Sequence, residues 1–210
     1  MSNASVPSLA DLLDSARQGD AEARDQLFAR CRSFVGVLAQ AQVESWLQRR
    51  VDPSDIVQQT LLDAHRDFDQ FRGQTEAEWL AWLKQILKHN TQDIVRRYRG
   101  TQKRQQQREV SWNKARPNNS HDHDPQPAAS DGSPSQAAMR NEMELRIADA
   151  VSRLPNDYRE VIILRNLQRL PFDQIADQLG RSRPATQMLW TRAVQKLRDH
   201  LRDNDQSRTE

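Results

Sequence analysis

From Leu9 to about Arg108 the apolar residues recur at spacings of three and four, and no stretch alternates long enough to make a strand, so this half of the chain reads as all helix. Leu12, Leu13 and Ala16 mark a first helix, Gly19 and Asp20 a break, and Leu27, Phe28, Phe34, Val35 and Leu38 continue the pattern on a second. Asp52 followed by Pro53 is a start signal. The carboxylate can accept the free amides of a first turn, and proline fits where an amide would otherwise go unpaired. On the helix that follows, Ile56, Leu61 and Leu62 are expected to be buried, leaving Asp55, Gln58, Gln59 and Asp63 polar. Phe68 and Phe71 end it, and Arg72 with Gly73 turns the chain. A longer helix is predicted from about Glu76 to Tyr98, with Trp79, Trp82, Leu83 and Ile86 on one continuous apolar stripe.

The pattern then lapses. Between Asn113 and Gln136 the residues are Asn, Ser, Asp, His, Pro and Ala with almost no large apolar side chain, so the segment cannot bury enough surface to fold alone and reads as a linker. Such a linker would span about 30 Å as a relaxed coil and on the order of 80 Å when extended. Helical spacing resumes from Met143 to Leu154 through Ile147 and Val151, and Tyr158, Val161, Ile162 and Leu164 define a short helix after Pro155.

Near the C-terminus, Phe172, Ile175, Ala176 and Leu179 fall at i, i+3, i+4 and i+7 behind Pro171. Gly180 supplies a left-handed residue to stop that helix, and Ser182 can cap the next, with Pro184 in its first turn. A short helix, a glycine turn and a capped second helix have the layout of a DNA-reading helix pair. At 100° per residue, Thr186, Trp190, Ala193, Val194, Leu197 and Leu201 share an inward sector of the second helix. Pro184, Met188, Thr191, Arg192 and Gln195 point outward, with Gln187 on the border. Arginine and glutamine can read base edges and methionine can meet thymine methyls, while Arg181, Arg183, Arg192, Lys196 and Arg198 would hold phosphates. The plainer reading is an ordinary helical hairpin with a wet basic face.

Composition bounds rather than drives this picture. The 210 residues suffice for two small domains, and the prolines and glycine between Arg116 and Pro134 favour the split. No apolar run is long enough to cross a bilayer or to form a signal peptide, which places the protein in the cytoplasm with no membrane partner. Cys31 is the single cysteine, so the chain holds no internal disulfide and no cysteine-based metal cluster. A net charge of +2 says little about polyanions, but Arg96, Arg97, Arg99, Lys103, Arg104 and Arg108 form a run free of acidic residues. His121, Asp122, His123 and Asp124 are metal-capable, yet in a polar linker nothing would fix their geometry, and they read as solvated filler. A glycine-rich phosphate loop, a paired nucleophile and base and a metal-ligand cluster are all missing, so neither an enzyme nor a bound cofactor is expected.

Taken together, the two halves resemble the extracytoplasmic-function (ECF) sigma factors, small promoter-recognition subunits of bacterial RNA polymerase. The stretch LRNLQRLPFDQIADQLGRSRPATQMLWTRAVQKLRDHL, Leu164 to Leu201, is similar to the family's region four without insertion. LLDSARQGDAEARDQLF, DPSDIVQQTLLDAHRDFDQFRG and EAEWLAWLKQILKHNTQDIVRRYRG resemble region two in order and spacing. The resemblance implies an all-α protein of two small helical domains. These would be region two at residues 1–112, a flexible polar linker at 113–138, region four with its helix-turn-helix at 139–203, and a tail at 204–210.

The family also implies roles. Asp55, Gln58, Gln59 and Thr60 fall on the surface that binds core RNA polymerase, and Asn90, Asp93, Arg96, Arg97 and Arg99 where relatives hold the opened minus-ten strand. Trp79 and Trp82 could stack on bases, but their stripe favours core packing. Arg181, Ser182, Arg183, Gln187, Met188, Thr191, Arg192 and Lys196 make the expected minus-thirty-five surface. Many relatives carry Arg or Lys and then Ser where this chain has Gln187 and Met188, and Gln59 stands where an acidic residue is frequent. The implied partners are core RNA polymerase and promoter DNA, with an anti-sigma factor left open. Two other readings stay in view: a dimeric helix-turn-helix regulator acting without polymerase, and an adaptor whose N-terminal half only binds protein.

Overall fold

The computed structural model describes residues 7–43, 51–106 and 134–206, and among these every regular element is helical. The N-terminal half contains α1 (Leu9–Arg17), α2 (Ala21–Gln42), α3 (Pro53–Arg66) and α4 (Glu76–Gln106), with a 3₁₀ turn at Phe68–Gln70 after α3. The C-terminal half contains α5 (Pro134–Ser152), α6 (Asn156–Ile162), α7 (Phe172–Leu179) and α8 (Arg183–Gln206), and a π turn at Ile163–Leu167 prolongs α6. None of the described helices is long and apolar enough to cross a membrane.

The starts of these helices follow from short polar side chains. The Ser8 hydroxyl accepts the Asp11 amide at 3.1 Å while the Asp11 carboxylate accepts the Ser8 amide at 3.0 Å, a reciprocal cap that satisfies two otherwise unpaired donors. Asp20 accepts the amides of Glu22 and Ala23 at the head of α2, and Asp52 accepts that of Ser54 at 2.8 Å with Pro53 in the first turn of α3.

The N-terminal core is built around Trp79, which is fully buried. Its ring meets Phe28, Phe68 and Phe71 edge-on at 5.3 to 5.6 Å between centroids and lies 5.3 Å from Trp82, itself buried. The indole N–H donates to the Cys31 sulfur at 3.3 Å. Both tryptophans are therefore core residues, and neither offers a face to a base. Burial pushes the Cys31 thiol up to about 11, so almost none of it is thiolate at neutral pH. Cys31 should react with a maleimide or iodoacetamide only after denaturation; stoichiometric labelling of the folded chain, read by mass spectrometry, would contradict this packing.

Several expectations need correction. Leu62 is 64% exposed, because α3 packs through Ile56, Val57, Thr60, Asp63 and Ala64 and turns Leu62 to the opposite side. Thr60 is wholly buried and Asp63 nearly so, although both were expected among the polar or contact residues. Ile147 is exposed on α5, whose inward stripe is Leu145, Ala148 and Val151. α4 continues past Tyr98 to Gln106, and α5 begins at Pro134, so Pro134–Ala138 of the expected 113–138 linker are helical. Proline suits a first helical turn, and Ala137 and Ala138 are strong helix formers. Residues 107–133, which include Arg108, His121, Asp122, His123 and Asp124, lie outside the described residues.

Candidate nucleic-acid interface

The C-terminal pair of helices is held from both ends. Gly180, at φ +62°, takes the left-handed conformation that ends α7, and the Arg181 amide donates back to the Ala176 carbonyl at 2.9 Å. The Ser182 carbonyl accepts both the Thr186 amide at 2.9 Å and the Thr186 hydroxyl at 3.1 Å, and Thr186 is wholly buried. Behind the pair, Phe172 meets Trp190 edge-on at 5.9 Å, the Trp190 N–H donates to Asn166 at 3.0 Å, and the Arg165 guanidinium lies over Phe172 at 4.5 Å. Ile175, Ala176 and Ala193 close the joint between α7 and α8. The outward face of α8 is thus fixed by packing on its other side.

That face carries Gln187, Met188, Thr191, Arg192, Gln195 and Lys196, all exposed, with Met188 at 57%. Met188 thus places an apolar side chain among polar neighbours on the open side of the helix. The Thr191 hydroxyl donates to the Gln187 carbonyl within the helix at 3.0 Å, leaving its methyl and its oxygen lone pairs outward. At the head of α8, Arg181 pairs with Asp157 at 2.5 Å and Arg183 with Asp173 at 3.2 Å, so these two guanidinium groups are already positioned by carboxylates. Ser182 is exposed beside them, and its hydroxyl accepts the Ala185 amide at 3.4 Å.

In the N-terminal half, Asp55, Gln58, Gln59 and Leu62 share the open side of α3. Asp63, on the buried side, connects this helix to α4. Its carboxylate accepts the Gln59 amide at 3.0 Å and the Asn90 amide at 3.0 Å, and pairs with Arg66 at 3.0 Å. The Asn90 amide also donates to the buried Thr60 hydroxyl at 3.3 Å. Thr60 cannot touch a partner from inside the core; it positions Asn90 instead. Sequence reasoning passed over Asp63 as a hub, although its place four residues after Gln59 was the available signal. Farther along α4, Asp93 lies 3.6 Å from His89 and 3.5 Å from Arg96, while Arg96 and Arg97 project into solvent. Arg99 is one turn on in the same helix, its side chain outside the described set.

The described surface is therefore a basic, outward-facing second helix behind a glycine turn, plus a second cationic helix end in the other half. Residues 144–197, which include the whole glycine turn and the outward face of α8, match the family described as sigma-70, region 4. Over 190 residues, 90% of this chain, the sequence is 29% identical to a probable RNA polymerase sigma factor, RfaY, of Xanthomonas campestris pv. campestris. Over 169 residues, 79% of this chain, it is 27% identical to the ECF RNA polymerase sigma-E factor of Haemophilus influenzae. The chain is thus similar to the ECF-type sigma factors. It spans 43% of the first of these relatives and 80% of the second. Among solved structures, the complex of CnrH with the cytosolic domain of CnrY is 21% identical, covers 94% of this chain and 99% of that one, and superimposes with a TM-score of only 0.34. The matched span holds α6, α7 and the first part of α8 and, upstream to residue 144, about half of α5.

Proposed function

We propose that the chain is a promoter-recognition subunit of bacterial RNA polymerase, active in the cytoplasm and without chemistry of its own. The observation that carries this reading is the exposed face Gln187, Met188, Thr191 and Arg192, held outward on α8 inside the span that matches sigma-70 region 4. That face reads the minus-thirty-five element, with Arg181, Ser182, Arg183 and Lys196 on the flanking phosphates. In the N-terminal half, Asp55, Gln58 and Gln59 meet the polymerase, and Asn90, Asp93, Arg96, Arg97 and Arg99 hold the opened minus-ten strand. Asn90 suits that task because Thr60 and Asp63 fix its amide group and leave its carbonyl oxygen free to accept from a base.

Reconstitution is the deciding experiment. The purified chain should bind core polymerase and direct transcription from a promoter that core enzyme alone ignores. A chain that binds no core enzyme but protects a palindromic duplex is an ordinary regulator, and the reading above is then wrong. A narrower prediction concerns Arg192, which is exposed on the reading face. Arg192→Ala should weaken binding to a minus-thirty-five duplex by about 1 to 3 kcal/mol and relax the preference at a single base pair. Binding-site selection on randomised duplexes checks this, and an equal loss on all sequences would demote Arg192 to a phosphate contact.

A further inference from the structure

Asp63 is nearly buried, yet its carboxylate faces three donors, and they divide between its two oxygens. Oδ1 accepts the Gln59 amide at 3.0 Å and pairs with the Arg66 guanidinium at 3.0 Å. Oδ2 accepts the Asn90 amide at 3.0 Å, and the same Asn90 nitrogen lies 3.3 Å from the hydroxyl of the wholly buried Thr60. A carboxylate can only accept, so Asn90 has to turn its nitrogen toward α3. Its oxygen, to which no described residue donates, is left for a partner outside the chain. Thr60 does not decide this orientation, since a hydroxyl serves a donor or an acceptor equally well. Asp63 decides it.

We propose that Asp63 is a specificity-determining residue of the minus-ten interaction: by fixing Asn90 with its oxygen outward, it selects a base that carries an exocyclic amine. The inference rests on the reading of Asn90 as a contact to the opened strand, and it names the class of base that Asn90 meets. At purine C6 and pyrimidine C4, adenine and cytosine carry an amine, while guanine and thymine carry a carbonyl. An outward oxygen accepts from the first pair and opposes a second acceptor in the other. An amide in water turns over freely and suits either kind of base. Here, turning over would set the Asn90 oxygen against Oδ2 of Asp63 in a nearly buried place, where an unpaired acceptor is costly. The carboxylate on α3 thus makes a one-way reader of a side chain on α4, without touching DNA itself.

Removing the charge should invert the choice. In Asp63→Asn, Gln59 and Arg66 still call for an oxygen at the Oδ1 position, so the new amide nitrogen falls at the Oδ2 position. Asn90 then turns its own oxygen inward and presents its nitrogen to the base. Adding Asn90→Asp to Asp63→Asn restores an outward oxygen. Both variants are compared with Asn90→Ala in holoenzyme reconstituted from the full-length chain and core polymerase. The substrate is a promoter library varied at each minus-ten base pair, and transcript yield is the readout. At the position that Asn90→Ala levels, the unmodified chain should favour adenine or cytosine by about fivefold, the worth of one hydrogen bond. Asp63→Asn should favour guanine or thymine there, and the double variant should return to adenine or cytosine. A merely structural role for Asp63 lowers the yield alike on every promoter. Unchanged preference in Asp63→Asn, or an unmodified chain that favours guanine or thymine at that position, overturns the proposal. If Asn90→Ala levels no position, Asn90 reads no base, and its minus-ten role falls together with the proposal. A chain that directs no transcription fails the proposed function itself. Nuclear magnetic resonance of the free chain then still judges the orientation. The side-chain amide protons of Asn90 should exchange slowly in the unmodified chain and fast in Asp63→Asn; fast exchange in both would mean that Asp63 does not hold Asn90.

Discussion

Trp79→Ala should cost about 3 to 5 kcal/mol of stability, the largest loss expected from any single substitution in the N-terminal half. The ring is fully buried and is the only one in contact with all of Phe28, Phe68, Phe71 and Trp82 among the described aromatic pairs. Removing it opens a cavity lined by rigid rings that cannot close over the gap, and it takes away the donor to Cys31. Small domains hold about 5 to 15 kcal/mol in total, so the variant should sit near the edge of folding. Urea denaturation followed by circular dichroism should show the midpoint falling by more than about 1 M, given slopes of about 1 to 3 kcal/mol per molar. Trp79→Phe keeps most of the apolar volume and should lose distinctly less. A loss below about 1 kcal/mol for the alanine variant would mean that the four neighbouring rings repack.

Much of this arrangement is legible in the sequence because it follows from local rules. The caps at Asp52 and Ser182, the turn at Gly180 and the sector containing Thr186, Trp190 and Ala193 depend on residues within a turn or two of one another. A helical period gives the right sector there because the neighbours of α8, α6 and α7 above all, cover that sector and leave the Gln187–Met188–Thr191–Arg192 side open. The same period fails on α3, where a stripe wide enough to include Leu61 and Leu62 was read as buried. Packing uses Thr60 and Asp63 instead, since Asn90 on α4 supplies their hydrogen bonds and makes a polar pair tolerable inside the core. No periodicity shows which polar residue will find such a partner thirty positions away.

The packing of α5 on α2 was invisible for a related reason. Ile147 is as large and apolar as Leu145, and spacing alone assigns it inward. The helix turns Leu145, Ala148 and Val151 toward α2 because Glu142 and Glu144 reach Arg30 and Lys84 on that side. These pairings join residues more than fifty positions apart, and no local pattern encodes them. The candidate reading face was legible residue by residue; how the two halves sit together required the structure.

Asp55→Arg should abolish binding to core polymerase while leaving the C-terminal half intact. Asp55 is exposed in the first turn of α3, where its charge complements the positive end of the helix, so reversal should lower stability by about 1 kcal/mol at most. The effect on binding should be far larger. Breaking one partner of a desolvated charge pair across an interface costs about 2 to 5 kcal/mol, and reversing the sign adds repulsion. At least a hundredfold loss of core affinity is expected in a titration of labelled core enzyme. The affinity for a minus-thirty-five duplex should stay within twofold, because that face sits on α8. Leu62→Asp tests the same surface by a different force. Leu62 is 64% exposed beside Gln58 and Gln59, and a carboxylate there would be stranded in an apolar contact without disturbing the monomer. Thr60→Val offers the contrast. It removes the hydroxyl that accepts from Asn90, so it should impair opening of the minus-ten region, followed by permanganate reactivity of unpaired thymines, with core affinity unchanged. If Asp55→Arg and Leu62→Asp both bind core enzyme normally, the polymerase contact lies on some other face than α3.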